Sequence, residues 1–76
     1  MKELLEIIAK SLVDDPGAVS VSEKENEHTV LLELRVADGD MGKVIGKQGR
    51  IAKSIRTVMK AAANHENKKV VVEIVQ

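Results

Sequence analysis

The sequence predicts an α+β domain of element order αββααβ, a three-stranded mixed sheet with three helices on one face. Three observations predict it. Apolar residues recur at helical spacing near the N-terminus and again after residue 50. From His28 to Val36 apolar and polar residues alternate, the mark of a half-buried strand. Two helical segments then separate that strand from a β-branched run, Val70 to Val75, a crossover long enough to make these two strands parallel neighbours. Such a crossover is right-handed by rule.

Taken in order, residues 2–14 carry a helical stripe of Leu4, Leu5, Ile8 and Leu12, with Lys2, Glu3, Glu6 and Lys10 on the other side. Asp14-Asp15-Pro16-Gly17 ends this helix, because a proline disfavours helical geometry in the residue before it. Val19 and Val21 alternate with Ser20 and Ser22 as a short strand, and residues 23–27 (EKENE) read as a polar hairpin turn. The second strand places Val30, Leu32, Leu34 and Val36 on one face, and it is expected to pair antiparallel with the first and to lie centrally. Asp38 or Asp40 is suited to cap a short helix running into Ile45. A longer helix spans about Arg50 to Asn64, with Ile51, Ile55, Val58 and Ala62 on its apolar side. Ala52, Met59 and Ala63 widen that stripe beyond what one sheet is expected to cover. Residues 64–67 end the helix before the last strand.

Between the last two helices lies Met41-Gly42-Lys43-Val44-Ile45-Gly46-Lys47-Gln48-Gly49-Arg50-Ile51. Gly46 and Gly49 bracket two polar residues, and glycine accepts positive φ and close approach of another backbone. The helix that starts after Gly49 turns its free N–H groups toward the loop. Beside lysines, such a terminus suits phosphate. A Walker A loop is excluded, since Met41 stands where its first glycine belongs and Gln48 where its Ser or Thr belongs. The dinucleotide fingerprint needs a glycine spacing absent here.

Composition narrows the chemistry further. The chain of 76 residues makes one domain, 1–76, with no cysteine and hence neither disulfides nor thiolate metal sites. Glu3 and Glu6 interrupt the N-terminal apolar residues, which excludes a secretory signal, and no run suits a membrane span. A soluble, cytoplasmic protein with no membrane contact is expected. Net charge is zero but unevenly spread: residues 1–38 hold four basic residues against nine acidic ones, and residues 39–76 hold eight against three. From Met41 to Lys60 there are six basic residues and no acid. This asymmetry is the footprint of a localised anion-binding face. With no Phe, Tyr or Trp, the stacking platform of many single-strand binders is missing, so backbone contacts, aliphatic packing and edge hydrogen bonds must serve.

The run Val44-Ile45-Gly46-Lys47-Gln48-Gly49-Arg50-Ile51 resembles the KH signature, an apolar pair followed by a GxxG loop and a helix. The αββααβ order extends the resemblance over the whole chain, to the type II KH fold and to the small bacterial single-KH RNA-binding proteins of the KhpA type. The resemblance implies a binder of single-stranded RNA, an RNA chaperone or post-transcriptional regulator, whose loop grips the backbone of a short segment. Carried over, the N–H groups of Gly46 to Gly49 with Lys47 and Gln48 meet phosphates, flanked by Lys43 and Arg50, with Lys53 a turn further on. Val44 and Ile45 are either groove wall or core that positions the loop. Arg56 and Lys60 are expected to lie too far along the helix. The resemblance also implies a homodimer, or a heterodimer with a larger KH-containing partner.

The alternative is an assembly module of KH fold that has lost RNA binding, against which the acid-free basic run argues. Single-stranded DNA is a lesser option. His28 and His65 stand apart from any ligand cluster, no nucleophile sits in a base-paired setting, and neither enzyme, metal nor cofactor is expected.

Overall fold

A computed structural model describes residues 1–75. Helix α1 spans Lys2–Leu12, and a 3₁₀ turn at Pro16–Ala18 leads into β1, Ser20–Glu25. Strand β2 is Thr29–Arg35; a second 3₁₀ turn, Asp38–Asp40, opens the short helix α2, Met41–Ile45. A third turn at Lys47–Gly49 precedes α3, Arg50–Asn64, and β3 is Lys69–Val75. The strands lie in the order β1-β2-β3, antiparallel between β1 and β2 and parallel between β2 and β3. The expected architecture is the observed one, and β2 is central.

One face of the sheet supplies Val21, Val30, Leu32, Leu34 and Val72 to a single core. The helices answer with Leu5 and Ala9 from α1, Val44 from α2, and Ile55 and Met59 from α3. The other face presents Ser22, Lys24, Arg35, Val71 and Glu73 to solvent. Because α1 packs against β1 and α3 against β3, each outer strand carries its own helix, with β2 between them.

Four local readings are corrected. Helix α1 stops at Leu12 rather than continuing to residue 14, because the N–H groups of Asp14 and Asp15 turn to the Asp40 carboxylate. Leu4 and Leu12 sit at the rim of its buried stripe, whose centre is Leu5 and Ala9. Strand β1 runs through Glu23-Lys24-Glu25, three residues paired with Leu32, Leu31 and Val30, so the turn begins only at Asn26. There the Asn26 side-chain oxygen accepts the N–H of His28 at 2.8 Å and of Thr29 at 2.7 Å, an Asx turn that outcompetes further pairing. Charged residues are what an edge strand tolerates.

The fourth correction concerns α3. Its buried side is Ala52, Ile55, Met59 and Ala63, one residue round from the expected stripe, and Val58 is 46% exposed. Both sets fit helical spacing; the sheet takes the one with small alanines at its ends, which allow close packing. Ala52, Met59 and Ala63 are therefore core and not a spare interface. The helix ends as its sequence implies: left-handed Asn67 lets the Lys68 N–H reach back to the Ala63 carbonyl at 3.0 Å.

Candidate nucleic-acid interface

The loop between α2 and α3 is built by two glycines that do different work. Gly46 has φ 75° and ψ 173°, a region open essentially to glycine alone. A Cβ there would lie 2.5 Å from Cγ1 of Ile51, so Gly46 is also a contact point between the loop and α3. Gln48 and Gly49 follow at φ 58° and 73°, both left-handed, and Gly49 hands the chain to α3. No side chain caps this terminus, and no acid stands in the first turn of α3. Lys47, Gln48 and Arg50 are all exposed there, with Arg50 Nη2 donating to Gln48 Oε1 at 3.3 Å. Cations beside the positive end of a helix are unfavourable unless an anion joins them.

The structure brings most of the expected residues together and separates two. Gly46, Lys47, Gln48, Gly49 and Arg50 form one exposed corner, and Lys53 extends it along α3. Of the apolar pair, Val44 is wholly buried and is core, whereas Ile45 is 37% exposed beside the loop. Lys43 turns away: its ammonium lies 3.1 Å from Asp14 Oδ2 and 3.4 Å from Asp40 Oδ1.

Arg56 and Lys60 were expected to lie too far along α3 to take part. Lys53, Arg56 and Lys60 recur at spacings of three and four, which sets them on one stripe of α3. Arg56 is not simply solvated, because its Nε donates to the Val72 carbonyl of β3 at 3.2 Å. Together with Val70, Val71 and Val72, Arg56 and Lys60 line a groove of about 230 Å³ between α3 and β3. The spacing was visible in the chain; that β3 would lie beside it was not.

Asp38 or Asp40 was expected to cap α2; Asp40 takes the N-cap position, but its side chain makes no capping hydrogen bond to the helix. Its carboxylate, 4% exposed, accepts the N–H of Asp14 at 3.3 Å and of Asp15 at 3.0 Å. Burial pushes this carboxyl up, but the two N–H groups and the Lys43 ammonium outweigh it and hold it below its ordinary value. Lys43 is raised, by the hydrogen bond and charge of Asp14 and then by Asp40, against some desolvation. A carboxylate lowered on folding adds stability that is fully present above the unfolded value, near pH 4, and is lost as pH falls through the folded one. Asp40→Asn is therefore expected to flatten the acid limb of the stability profile, read as urea midpoints from about pH 6 down to about pH 2.

A parallel pair of strands joined through two helices, with a GxxG loop between those helices and an antiparallel third strand, is a type II KH domain. The chain belongs to the KhpA/KhpB KH-domain family, whose model matches residues 2–74. It is 71% identical over 75 residues to the RNA-binding protein KhpA of Clostridium acetobutylicum, covering 99% of this chain and 100% of that one. To the RNA-binding protein KhpA of Aquifex aeolicus it is 49% identical over 76 residues, covering 100% of this chain and 96% of that one. Among solved structures it is similar to Era, crystallised with MgGDPNP and nucleotides 1506–1542 of 16S ribosomal RNA, at a TM-score of 0.71 and 19% identity. That likeness covers 96% of this chain and 28% of the Era chain, and concerns the fold alone.

Proposed function

We propose that this chain is a binder of single-stranded RNA that holds the sugar-phosphate backbone at the Gly46–Gly49 loop. The observation that carries the reading is the N-terminus of α3. It is a fifteen-residue helix with no cap and no acid in its first turn, opened by two left-handed residues amid exposed Lys47, Gln48 and Arg50. N–H groups and cations converge there, and no acid stands in the first turn to answer them. Further along α3, the groove between α3 and β3 is lined by Val70, Val71 and Val72 with Arg56 and Lys60, room for base edges without stacking. The role that follows is that of an RNA chaperone or post-transcriptional regulator in the cytoplasm, with no catalytic step.

The test is electrostatic. Lys47, Arg50 and Lys53 neutralise about three phosphates, so with a coefficient near −0.7 each, log affinity should fall against log salt with a slope of about −2. Titration of a short labelled single-stranded RNA at several salt concentrations measures it. A slope near zero sinks the loop reading, and one beyond about −4 brings Arg56 and Lys60 onto phosphates as well. Substituting single-stranded DNA in the same titration tells whether the 2′-OH matters.

Assembly with a second KH chain, a copy of this one or a larger KH-containing partner, completes the proposal. One site without aromatic stacking holds few nucleotides, and joining two raises avidity by roughly 10²–10⁴. A surface suited to a second copy is the groove of about 370 Å³ between α1 and α3, lined by Ile8, Leu12, Ile51 and Val58 and reaching Arg50 of the loop corner. Val58→Glu is expected to give monomeric mass by light scattering at micromolar concentration with the fold intact, because Val58 is exposed. Wild-type protein that is already monomeric there refutes the homodimer.

A further inference from the structure

Asp40 is the one buried charged side chain among the described residues, and its partners come from a distant part of the chain. Across twenty-five residues its Oδ2 accepts the Asp15 N–H, while Oδ1 accepts that of Asp14 and meets Lys43. Lys43 closes the ring by pairing with Asp14 as well. The clasp thus ties the start of α2 to the connection between α1 and β1. Helix α2 is only five residues long, too short to hold its own geometry, and Val44 is its one fully buried anchor. Its far end runs straight into the loop, where the Gly46 N–H donates to the Gly42 carbonyl at 2.8 Å. Met41 packs only partly buried against the same core, so the polar fixed point at Asp40 and Lys43 adds the restraint that apolar packing on α2 leaves incomplete.

We infer that Asp40 and Lys43 are positioning residues for the Gly46–Gly49 loop, and that the Lys43 ammonium serves Asp14 and Asp40 rather than a phosphate. The inference rests on the loop being the phosphate site. It separates two lysines four residues apart: Lys47 neutralises RNA, and Lys43 aims the loop that does so.

The experiment compares salt titrations of a short single-stranded RNA for wild type, Lys43→Met, Lys47→Met and Asp40→Asn, well below each melting midpoint. Lys47→Met is expected to weaken binding and to make the slope shallower by about 0.7, one phosphate contact. Lys43→Met and Asp40→Asn are expected to weaken binding severalfold with lines parallel to wild type. In both, the amide resonances of Gly46 to Gly49 should shift while those of β1 to β3 stay in place. A slope made shallower by Lys43→Met to the same degree as by Lys47→Met overturns the assignment, as does wild-type affinity in both clasp variants. Should Asp40→Asn fail to fold, Lys43→Met carries the comparison alone, its side chain being partly exposed. Unchanged affinity in Lys47→Met is a distinct result, and overturns the phosphate loop itself.

Discussion

Replacing Lys47 and Gln48 together by aspartate is expected to weaken single-stranded RNA binding by roughly tenfold to a hundredfold while the unfolding curve stays close to wild type. The pair changes local charge by three units where phosphates approach. Each unit is worth about 1 kcal/mol at contact distance in water before salt screening. Both side chains are exposed, so no packing is lost. Gln48 sits at φ 58°, a left-handed conformation that aspartate tolerates better than most residues. Fluorescence anisotropy with a labelled oligonucleotide, beside a thermal melt, checks both halves. A variant that retains full affinity moves the site away from the loop.

Gly46→Ala is expected to damage stability and binding together, and here the size of the effect comes from geometry. The new methyl would lie 2.5 Å from Cγ1 and 2.9 Å from Cβ of Ile51, on the rigid branched end of a helix-bound side chain. Backbone strain in that glycine-only region and the forced displacement of Ile51 each cost about 1–3 kcal/mol, or roughly 2–6 kcal/mol together. A chain of this length has about 4–11 kcal/mol in all. Gly49→Ala makes the control. It shares the positive φ, at 73°, but a Cβ there meets nothing within 4 Å, so only the left-handed strain remains, about 1–2 kcal/mol. Urea unfolding of the two variants should give midpoints well apart with similar m values. Equal losses would mean that Ile51 yields and that Gly46 is not a contact point.

The sheet order and the bounds of α3 were legible because they follow from period and length alone. Alternation marks β2 without reference to anything else, and two intervening helices leave β3 no other way to pair. The loop was legible for the same reason, as glycine and charge act locally. What was hidden needed a partner from elsewhere in the chain. The stripe 51/55/58 and the stripe 52/55/59 have equal claim to a helix face, and only the approach of the sheet chooses Ala52 and Met59. Val44 and Ile45 looked alike until one pointed into the core. Asp40 resembled a helix cap because caps and distant acceptors use the same side chain, and the backbone of Asp14 and Asp15 is invisible to any local rule. The groove between α3 and β3 needs β3 beside Arg56, a proximity created by topology.

That topology also gives the neutral molecule an electric polarity. Four of the nine acidic residues of the first half ride on α1 and β1 and the rest on β2 and the connections, whereas six of the eight basic residues of the second half ride on α2, α3 and β3. With α1 over β1, α3 over β3 and β2 as the seam, the acid-free stretch lies along α3, and the two halves meet at the pairs Lys43–Asp14 and Lys68–Glu25. An approaching polyanion meets its strongest attraction along the acid-free stretch of α3. Zero net charge removes any long-range pull on RNA as a whole and leaves only this local attraction, which acts within about a Debye length. A neutral domain built this way lacks the indiscriminate attraction that a uniformly basic domain of its size would exert on every nucleic acid nearby.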